Sequence, residues 1–357
     1  MIFYFLIFLI QNSFASKLPS QYEASCYDNC HCNATTVECR DIHVDATVFS
    51  KILPKIYPNL DTIAITGNNF GLMSMDNIFG EGQRHLKLTM LDLSDNEIRN
   101  FYSDTFFGVP KLEYLNLRNN DLESVGNKPL NYLPNLRILD LSAAFGSRTS
   151  PSKRTEILKN ILDSDHHFKH LQEIIITNND FAELDPEIFC HIEGLVRLIL
   201  NGNSLESFPV KPRCLQNLQV LDLRSNKFST VPSTIWDNLE SLDTLDISNN
   251  PLQCDCKLQD LVKFANEDSS VFLNQQHTTC AGPDKLAGKN IFSLENENLC
   301  QKSSRLLHWI VLLIIAGGVL FVYRHLRRLD RFPRFPASFG YSQLKRNDEA
   351  NPSPAFV

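Results

Sequence analysis

The sequence has few of the motifs that carry catalysis. Its 357 residues contain no glycine-rich phosphate loop and no nucleophile motif, which are common sequence signals of phosphoryl-transfer and hydrolytic enzymes. The ten histidines are scattered, and the densest group lies in His166–His170. We interpret that group as a polar turn, with a metal site as the alternative. The sequence therefore predicts neither an enzyme nor a bound cofactor.

Basic residues are in the minority in the main part of the chain. Residues 16–305 carry 27 basic and 38 acidic side chains, a net charge of −11. A nucleic-acid-binding protein needs a basic face to neutralise phosphates, so no nucleic-acid partner is expected. The hydrophobic content of 43% excludes a chain that is disordered throughout.

Two segments contain no Asp, Glu, Lys or Arg. The first, residues 1–15, includes the apolar run Ile2–Ile10, which is too short to cross a bilayer. Ser13 and Ala15 have the small-residue spacing that a signal peptidase accepts. Although no basic residue precedes the apolar run, the segment predicts a secretory signal, with the mature chain starting near Ser16.

The second uncharged segment is Leu306–Tyr323, and it predicts a transmembrane helix. Its 18 residues would extend about 27 Å as a helix, close to the thickness of a bilayer core. Five arginines follow within residues 324–334, and basic residues stay on the cytoplasmic side. We therefore expect a type I plasma-membrane protein with a juxtamembrane segment at 301–305 and a disordered cytoplasmic tail at 324–357.

The middle of the chain, residues 59–252, is a repeat array. The template L-x-x-L-x-L-x-x-N-x-L occurs eight times, starting at Leu60, Leu88, Leu112, Leu136, Leu171, Leu195, Leu218 and Leu242. Its Asn is present in seven repeats, at Asn68, Asn96, Asn120, Asn179, Asn203, Asn226 and Asn250, whereas the fourth repeat has Ala144. The x-L-x-L portion has the period of a strand, and the Asn amide can hydrogen-bond buried backbone groups. Stacked copies therefore predict a parallel sheet over a shared core.

An insertion near residues 144–157 lengthens the step between the fourth and fifth repeats to 35 residues. Its loop, residues 146–154, reads GSRTSPSKR, and Ile157, Leu158, Ile161 and Leu162 follow at helical spacing. The pattern predicts a surface loop and then a short amphipathic helix. The loop is either a functional feature or a neutral insertion.

Eight of the ten cysteines flank the repeats. Cys26, Cys30, Cys32 and Cys39 have the spacing C-x3-C-x-C-x6-C, and Cys254, Cys256, Cys280 and Cys300 have the spacing C-x-C-x23-C-x19-C. An open solenoid needs such caps, because its apolar core is exposed at both ends. Four clustered cysteines can also bind zinc, but an oxidising compartment favours disulfides.

Together, the repeats and the cysteine clusters resemble the extracellular leucine-rich repeat family over residues 26–300. The resemblance implies an α/β-type solenoid, curved into a horseshoe with a parallel sheet on its concave face. It implies an N-terminal cap at 16–58 and a C-terminal cap at 250–300. It also implies the disulfides Cys26–Cys32, Cys30–Cys39, Cys254–Cys280 and Cys256–Cys300.

Two further features bear on covalent chemistry. Cys190 and Cys214 precede the first leucines of adjacent repeats at nearly the same place, so a bridge between them is predicted, with two buried thiols as the alternative. Asn33-Ala34-Thr35 is a glycosylation sequon in a secreted context, and Asn33 is the predicted acceptor.

The outward strand positions form columns on the predicted concave face. One column contains Thr62, Met90, Tyr114, Ile138, Glu173, Arg197, Val220 and Thr244. The next contains Ala64, Asp92, Asn116, Asp140, Ile175, Ile199, Asp222 and Asp246. The consecutive apolar residues Met90, Tyr114, Ile138, Ile175 and Ile199 are the predicted ligand face, because exposed apolar patches mark interfaces. Ordinary variation on a solvated sheet is the alternative.

The tail contains two short motifs that predict intracellular partners. Tyr341 and Leu344 form a pattern that resembles the endocytic signal bound by clathrin adaptors, and the terminal Val357 resembles a PDZ-domain ligand. As a whole, the sequence indicates a cell-surface protein that binds an extracellular protein ligand or co-receptor, as an adhesion molecule, receptor or co-receptor. A matrix-anchoring structural protein and an innate-immune co-receptor are the alternatives.

Overall fold

The computed structural model describes residues 26–71, 77–295, 297, 299–300 and 305–328. The chain divides into two units, Met1–Cys300 and Gln301–Val357. The predicted signal peptide at 1–15 and the tail motifs at Tyr341, Leu344 and Val357 lie outside the described residues.

Short strands recur through the first unit at the spacing of the repeats. They are β1 (His31–Cys32), β2 (Thr36–Arg40), β3 (Thr62–Thr66), β4 (Met90–Asp92), β5 (Asn100–Phe101), β6 (Tyr114–Asn116), β7 (Ser124–Val125), β8 (Ile138–Asp140), β9 (Glu173–Ile175), β10 (Arg197–Ile199), β11 (Val220–Asp222), β12 (Thr244–Asp246), β13 (Leu252–Gln253) and β14 (Cys280–Gly282).

Ten of these strands form one sheet in the order β1-β2-β3-β4-β6-β8-β9-β10-β11-β12. The β1–β2 pair is antiparallel, and the pairs from β2 to β12 are parallel. The second residue of each repeat strand is a fully buried Leu or Ile, as Ile63, Leu91 and Leu115 illustrate. This architecture confirms the predicted solenoid with a parallel sheet. Two smaller sheets pair β5 with β7 and β13 with β14.

The helices are short within the first unit and long in the second. The α-helices are α1 (Pro151–Leu162), α2 (Thr234–Asp237), α3 (Gln259–Glu267) and α4 (Arg305–Arg328). Single turns of 3-10 helix occur at Ala46–Lys51, Pro212–Cys214, Cys256–Leu258, Ser269–Val271, Gln275–His277 and Ile291–Ser293.

The repeat asparagines form a hydrogen-bonded ladder along the solenoid. The backbone N–H of Asn68 donates to Oδ1 of Asn96 over 3.0 Å, and that of Asn96 donates to Oδ1 of Asn120 over 3.2 Å. The Asn120 amide donates in turn to the carbonyls of Leu93, at 3.0 Å, and Leu117, at 2.8 Å. Each amide thus satisfies backbone groups that the turn would otherwise bury without partners.

The fourth turn lacks the Asn, and a buried arginine of the insertion packs beside it. The N–H of Ala144 still donates to Oδ1 of Asn179, at 2.8 Å. The buried Arg154 donates from Nη1 to the carbonyl of Asn179 and from Nη2 to that of Gly146, at 2.9 and 3.3 Å. Its Nη1 also lies 3.3 Å from a carboxylate oxygen of Asp180. The guanidinium therefore supplies donors to buried carbonyls in the irregular turn.

The predicted surface loop at 146–154 is wrong in its second half. Helix α1 starts at Pro151, and the Ser150 hydroxyl accepts a hydrogen bond from the N–H of Lys153 as the N-cap. Proline is favoured in the first turn of a helix, because the missing N–H would have no intrahelical partner there. The predicted amphipathic helix is present, with Ile157, Leu158, Ile161 and Leu162 buried.

Disulfides close both ends of the first unit. Cys26 pairs with Cys32, Cys30 with Cys39, Cys254 with Cys280, and Cys256 with Cys300, which are the pairs that the family resemblance implies. A fifth bridge joins Cys190 and Cys214 on adjacent turns, with their Cα atoms 4.2 Å apart. The bridges and caps cover the apolar core where the stacking of repeats stops.

The second unit is described over a single helix. Helix α4 contains one candidate membrane span, Trp309–Arg328, which is long and apolar enough to cross a bilayer. The helix starts one residue before the predicted span and continues five residues past Tyr323, so the first basic residues of the predicted tail lie on its last turns. Basic side chains are favourable at that end of a helix.

Candidate ligand-binding face

Three residues of the predicted ligand face form a continuous ridge. Met90, Tyr114 and Ile138 are directly opposite one another on β4, β6 and β8, so their strands are about 4.8 Å apart. We call these three residues the apolar ridge. Met90 is 37% exposed, whereas Tyr114 and Ile138 are half-buried. Outward side chains on this sheet are therefore less exposed than the alternation alone suggests, because neighbouring columns pack against each other.

The other two residues, Ile175 and Ile199, lie in the next column and form a separate feature. They are directly opposite each other on β9 and β10. With Val220 and Leu273 they line a cavity of about 450 Å³, which we call the C-terminal pocket. Leu273 comes from the C-terminal cap and is 50% exposed. The lining also includes Arg118 and Asp140, so the C-terminal pocket reaches the edge of the apolar ridge.

Aspartates in the second column close the ends of four strands. Oδ1 of Asp92 accepts the N–H of Ser94 over 2.9 Å, and Oδ1 of Asp140 accepts the N–H of Ser142 over 2.8 Å. Asp222 and Asp246 accept N–H groups two residues further along in the same way. This local turn fixes one carboxylate oxygen of each residue.

The second carboxylate oxygen of these aspartates, Oδ2, has different surroundings in the two parts of the face. Near the C-terminal pocket, Oδ2 of Asp222 lies 3.1 Å from Nε of Arg224, and Oδ2 of Asp246 accepts from the Asn274 amide over 2.6 Å. Beside the apolar ridge, no hydrogen bond or ion pair from the described residues reaches Oδ2 of Asp92 or Asp140. The ridge is therefore flanked by carboxylate oxygens that remain available.

The electrostatic environment of Tyr114 is negative. Burial raises the pKa of its phenol, and the charges of Asp140, Asp92 and Glu173 raise that pKa further, while Arg118 opposes them. Glu173 is already paired with Arg197, at 3.3 Å. The Tyr114 hydroxyl stays protonated at physiological pH, so it can donate a hydrogen bond.

The C-terminal pocket has its own titrating group. Burial raises the pKa of Asp222 to about 6, and the nearby Asp246 adds to the shift, while the Arg224 contacts oppose it. Its carboxylate is only 12% exposed, so water stabilises the charged form weakly. The pocket therefore changes charge in a range where an ordinary aspartate is fully ionised.

The sequence placed these aspartates in the right column but gave no sign of their different roles. The local pattern does not separate them, because a serine stands two residues after Asp246 in the C-terminal half just as after Asp92 in the N-terminal half. Partners from distant segments, such as Asn274, leave no local signal at all.

The structure also describes the surroundings of two other predicted sites, the glycosylation acceptor Asn33 and the histidine group His166–His170. Oδ1 of Asn33 accepts the N–H groups of Thr35 and Thr36, both at 2.8 Å, in the turn between β1 and β2. In the segment His166–His170, and across the remaining described residues, no three His, Cys, Asp or Glu side chains are arranged to hold a metal ion.

The stacked repeats, the parallel sheet and the two cysteine caps define a leucine-rich repeat fold. The "leucine rich repeat" family model matches residues 58–122, 86–143 and 212–252. The matched segments lie on both sides of the irregular fourth turn, so the chain contains leucine-rich repeats with one interruption.

Several known proteins are similar in sequence. Toll-like receptor 3 of Bos taurus is 31% identical over 54% of this chain and 22% of its own length. Human Toll-like receptor 5 is 27% identical over 67% of this chain and 26% of its own length. Trophoblast glycoprotein of Macaca fascicularis is 25% identical over 79% of this chain and 68% of its own. The chain thus spans about a quarter of the length of these Toll-like receptors.

Solved structures show the same fold. Human 5T4, also called trophoblast glycoprotein and Wnt-activated inhibitory factor 1, aligns with a TM-score of 0.65 at 22% identity, over 77% of this chain and 99% of that one. The mouse RP105/MD-1 complex aligns with a TM-score of 0.50 at 19% identity, over 70% of this chain and 43% of that one. At these identities the likeness concerns the horseshoe architecture alone.

Proposed function

We propose that this chain is a cell-surface recognition protein whose concave face binds an extracellular protein and that acts by binding, without catalysis. The observation that carries the proposal is the apolar ridge of Met90, Tyr114 and Ile138 with the available carboxylate oxygens of Asp92 and Asp140 beside it. Apolar side chains on the outward face of a sheet do not serve the core, and such patches mark interfaces.

Tyr114 is the proposed centre of the interface. It lies between its two apolar neighbours on the middle strand of the ridge, and its ring combines apolar area with one hydrogen-bond donor. Tyrosines near the centre of an interface often contribute a large share of the binding free energy. Half-burial holds the ring in place, which lowers the entropy lost on binding.

The membrane arrangement supports an ectodomain role. Five disulfides are compatible with an oxidising compartment, and helix α4 is followed by basic residues. We therefore place residues 26–300 outside the plasma membrane and the C-terminus in the cytoplasm. The clathrin-adaptor and PDZ-domain partners of the tail stay predictions.

A role as innate-immune co-receptor is the second candidate. It is favoured by the sequence similarity to Toll-like receptors over about half to two thirds of the chain. It predicts that the partner is itself a receptor or a receptor-associated protein, whereas an adhesion role predicts a ligand on another cell or in the matrix.

The test is a binding screen with the full-length chain reconstituted in nanodiscs against secreted and cell-surface proteins. Each retained partner is then measured with the Tyr114→Ala variant and with Asp237→Asn, an exposed carboxylate on α2, as control. We expect Tyr114→Ala to cost about 2 kcal/mol of binding free energy, roughly thirtyfold in Kd, and the control to cost nothing. Partners that bind the folded Tyr114→Ala variant as tightly as wild type would contradict the proposed face.

A further inference from the structure

We propose that the apolar ridge, together with Asp92 and Asp140, binds a basic segment of the partner in which a Lys or Arg stands beside an aliphatic side chain. This inference rests on the proposed function, that the concave face binds an extracellular protein. It adds the chemistry of the partner, because the ridge alone would fit any apolar surface.

The first argument is placement. Asp92 and Asp140 lie on the strands either side of β6 and are directly opposite Asn116. Two strand spacings separate them by about 10 Å, and Tyr114 stands two residues earlier on the middle strand, about 8 Å from each by Cα position. A lysine or arginine lying along the Tyr114 ring can therefore reach either carboxylate.

The second argument is that the carboxylates of Asp92 and Asp140 are each held in position through one oxygen, while the other oxygen has no hydrogen bond or ion pair from the described residues. The N–H groups of Ser94 and Ser142 bind Oδ1 of each aspartate, and this contact fixes the orientation of the carboxylate. Among the described residues, no hydrogen bond or ion pair reaches either Oδ2 atom. An oriented carboxylate with an available oxygen is suited to a charge-assisted hydrogen bond from an ammonium or a guanidinium.

The third argument is the charge balance around Tyr114. Three carboxylates and one guanidinium act on its phenol, and one of the carboxylates, Glu173, is paired with Arg197. Arg118 makes no ion pair with any residue that the structure describes. The remaining balance is two acids, Asp92 and Asp140, against Arg118, which favours a cationic ligand and disfavours an acidic one.

The ring of Tyr114 adds a fourth element. A cation over the face of a tyrosine is attracted by the negative potential of the π-system, most strongly where water is partly excluded. Tyr114 is half-buried, and Met90 and Ile138 stand on either side of it. The aliphatic stem of a lysine or arginine, or its apolar neighbour in sequence, would cover these two side chains.

The experiment uses the full-length chain in nanodiscs of zwitterionic lipid, so that basic peptides are not drawn to the membrane. The probe is a displayed library of random peptides, selected on the wild type and depleted against the Tyr114→Ala variant. We expect the Tyr114-dependent peptides to be enriched in Lys or Arg next to Leu, Ile, Val or Met. Their affinity should fall as the salt concentration rises, because the pairing is electrostatic.

Four variants separate the contributions. The double variant Asp92→Asn/Asp140→Asn keeps the Oδ1 acceptors of both turns and removes only the charges, so the fold is retained. We expect it to weaken the selected peptides at least tenfold and Arg118→Gln to strengthen them. Tyr114→Phe should retain most of the affinity, because the ring is kept. Asp237→Asn, the exposed control on α2, should have no effect.

The outcomes distinguish this inference from the proposed function. Tyr114-dependent peptides that are neutral or acidic, or that bind the double aspartate variant as tightly as wild type, would overturn the basic-segment chemistry and leave the face intact. A selection that yields no Tyr114-dependent peptide would overturn both the chemistry and the proposed face.

Discussion

The two halves of the concave sheet carry the same column of aspartates and use them differently. In the C-terminal half, Asp222 and Asp246 bind Arg224 and Asn274 with their second oxygens. In the N-terminal half, the second oxygens of Asp92 and Asp140 meet no partner in the part of the chain the structure describes. The C-terminal acids therefore use both carboxylate oxygens within the fold, whereas we propose that the N-terminal acids use the second oxygen for a ligand.

The comparison shows how one repeat position can serve two purposes. Where the column holds an Asp or Asn, the first oxygen accepts the N–H two residues further along and closes the strand end. The second oxygen is not needed by the repeat itself, so its use depends on the neighbours. Where the C-terminal cap supplies Asn274, the acid becomes part of the core, with Asp246 only 2% exposed.

The strongest expected contrast concerns deletion of an acid in each half. Asp246→Ala leaves the N–H of Ser248 and the Asn274 amide without their acceptor in a buried site, which should lower the free energy of unfolding by about 3 kcal/mol. Asp92→Ala removes one hydrogen bond at a more exposed site and should cost about 1 kcal/mol. Denaturant unfolding of the full-length chain in detergent, followed by near-UV circular dichroism, measures both. Equal losses would contradict the division of roles.

A second prediction concerns the irregular turn that separates the two halves. Arg154→Met removes the donors to the carbonyls of Asn179 and Gly146, so unfolding free energy should fall by about 2 kcal/mol. The side chain of its neighbour Lys153 is exposed and pairs with the exposed Glu156, so Lys153→Met is the matched control and should change stability by less than about 0.5 kcal/mol. If Arg154→Met were as stable as the control, the hydrogen bonds of the arginine would not stabilise the irregular turn.

The third prediction is a pH dependence specific to the C-terminal half. The folded pKa of Asp222 is about 6, above the value of 3.8 for an unperturbed aspartate, so its charged form destabilises the fold. This penalty is complete above the folded pKa and decreases as the pH falls toward the unfolded one. Between about pH 7.5 and 5, wild type should therefore gain about 1 kcal/mol relative to Asp222→Asn.

Unfolding curves of wild type and of Asp222→Asn, recorded across this pH range, measure the difference in unfolding free energy between them. Burial lowers the pKa of His85, whose protonation destabilises the fold as the pH falls, and subtraction of the two curves removes this opposite effect. A constant difference between wild type and Asp222→Asn would mean that the carboxylate titrates normally.

Much of the fold could be predicted from the sequence, because the strand and the turn of each repeat are determined by residues within that repeat. The alternation around Leu91 and Leu115 fixes the strands, and Asn96 and Asn120 fix the turns that follow. The cap disulfides came from resemblance, since spacing alone does not determine which cysteines pair. Arg154 was assigned to a surface loop, because nothing local indicates that this charged side chain is buried against the carbonyls of Asn179 and Gly146.

The candidate face was predicted only as columns of residues. The sequence placed Tyr114 beside Met90 and Ile138, because parallel stacking sets that register. It did not reveal that Ile175 and Ile199 line a pocket, because part of the lining, such as Leu273, comes from the cap. The repeat pattern gives no information about contacts between segments that are far apart in sequence.

The most direct test of the account compares one apolar residue from each half in the same binding assay. The Kd of a partner retained in the nanodisc screen is measured for wild type, Tyr114→Ala and Ile199→Ala. The account predicts a loss of about thirtyfold for Tyr114→Ala and less than about threefold for Ile199→Ala, because binding is centred on the apolar ridge. A larger loss for Ile199→Ala than for Tyr114→Ala would contradict it and move the interface to the C-terminal pocket.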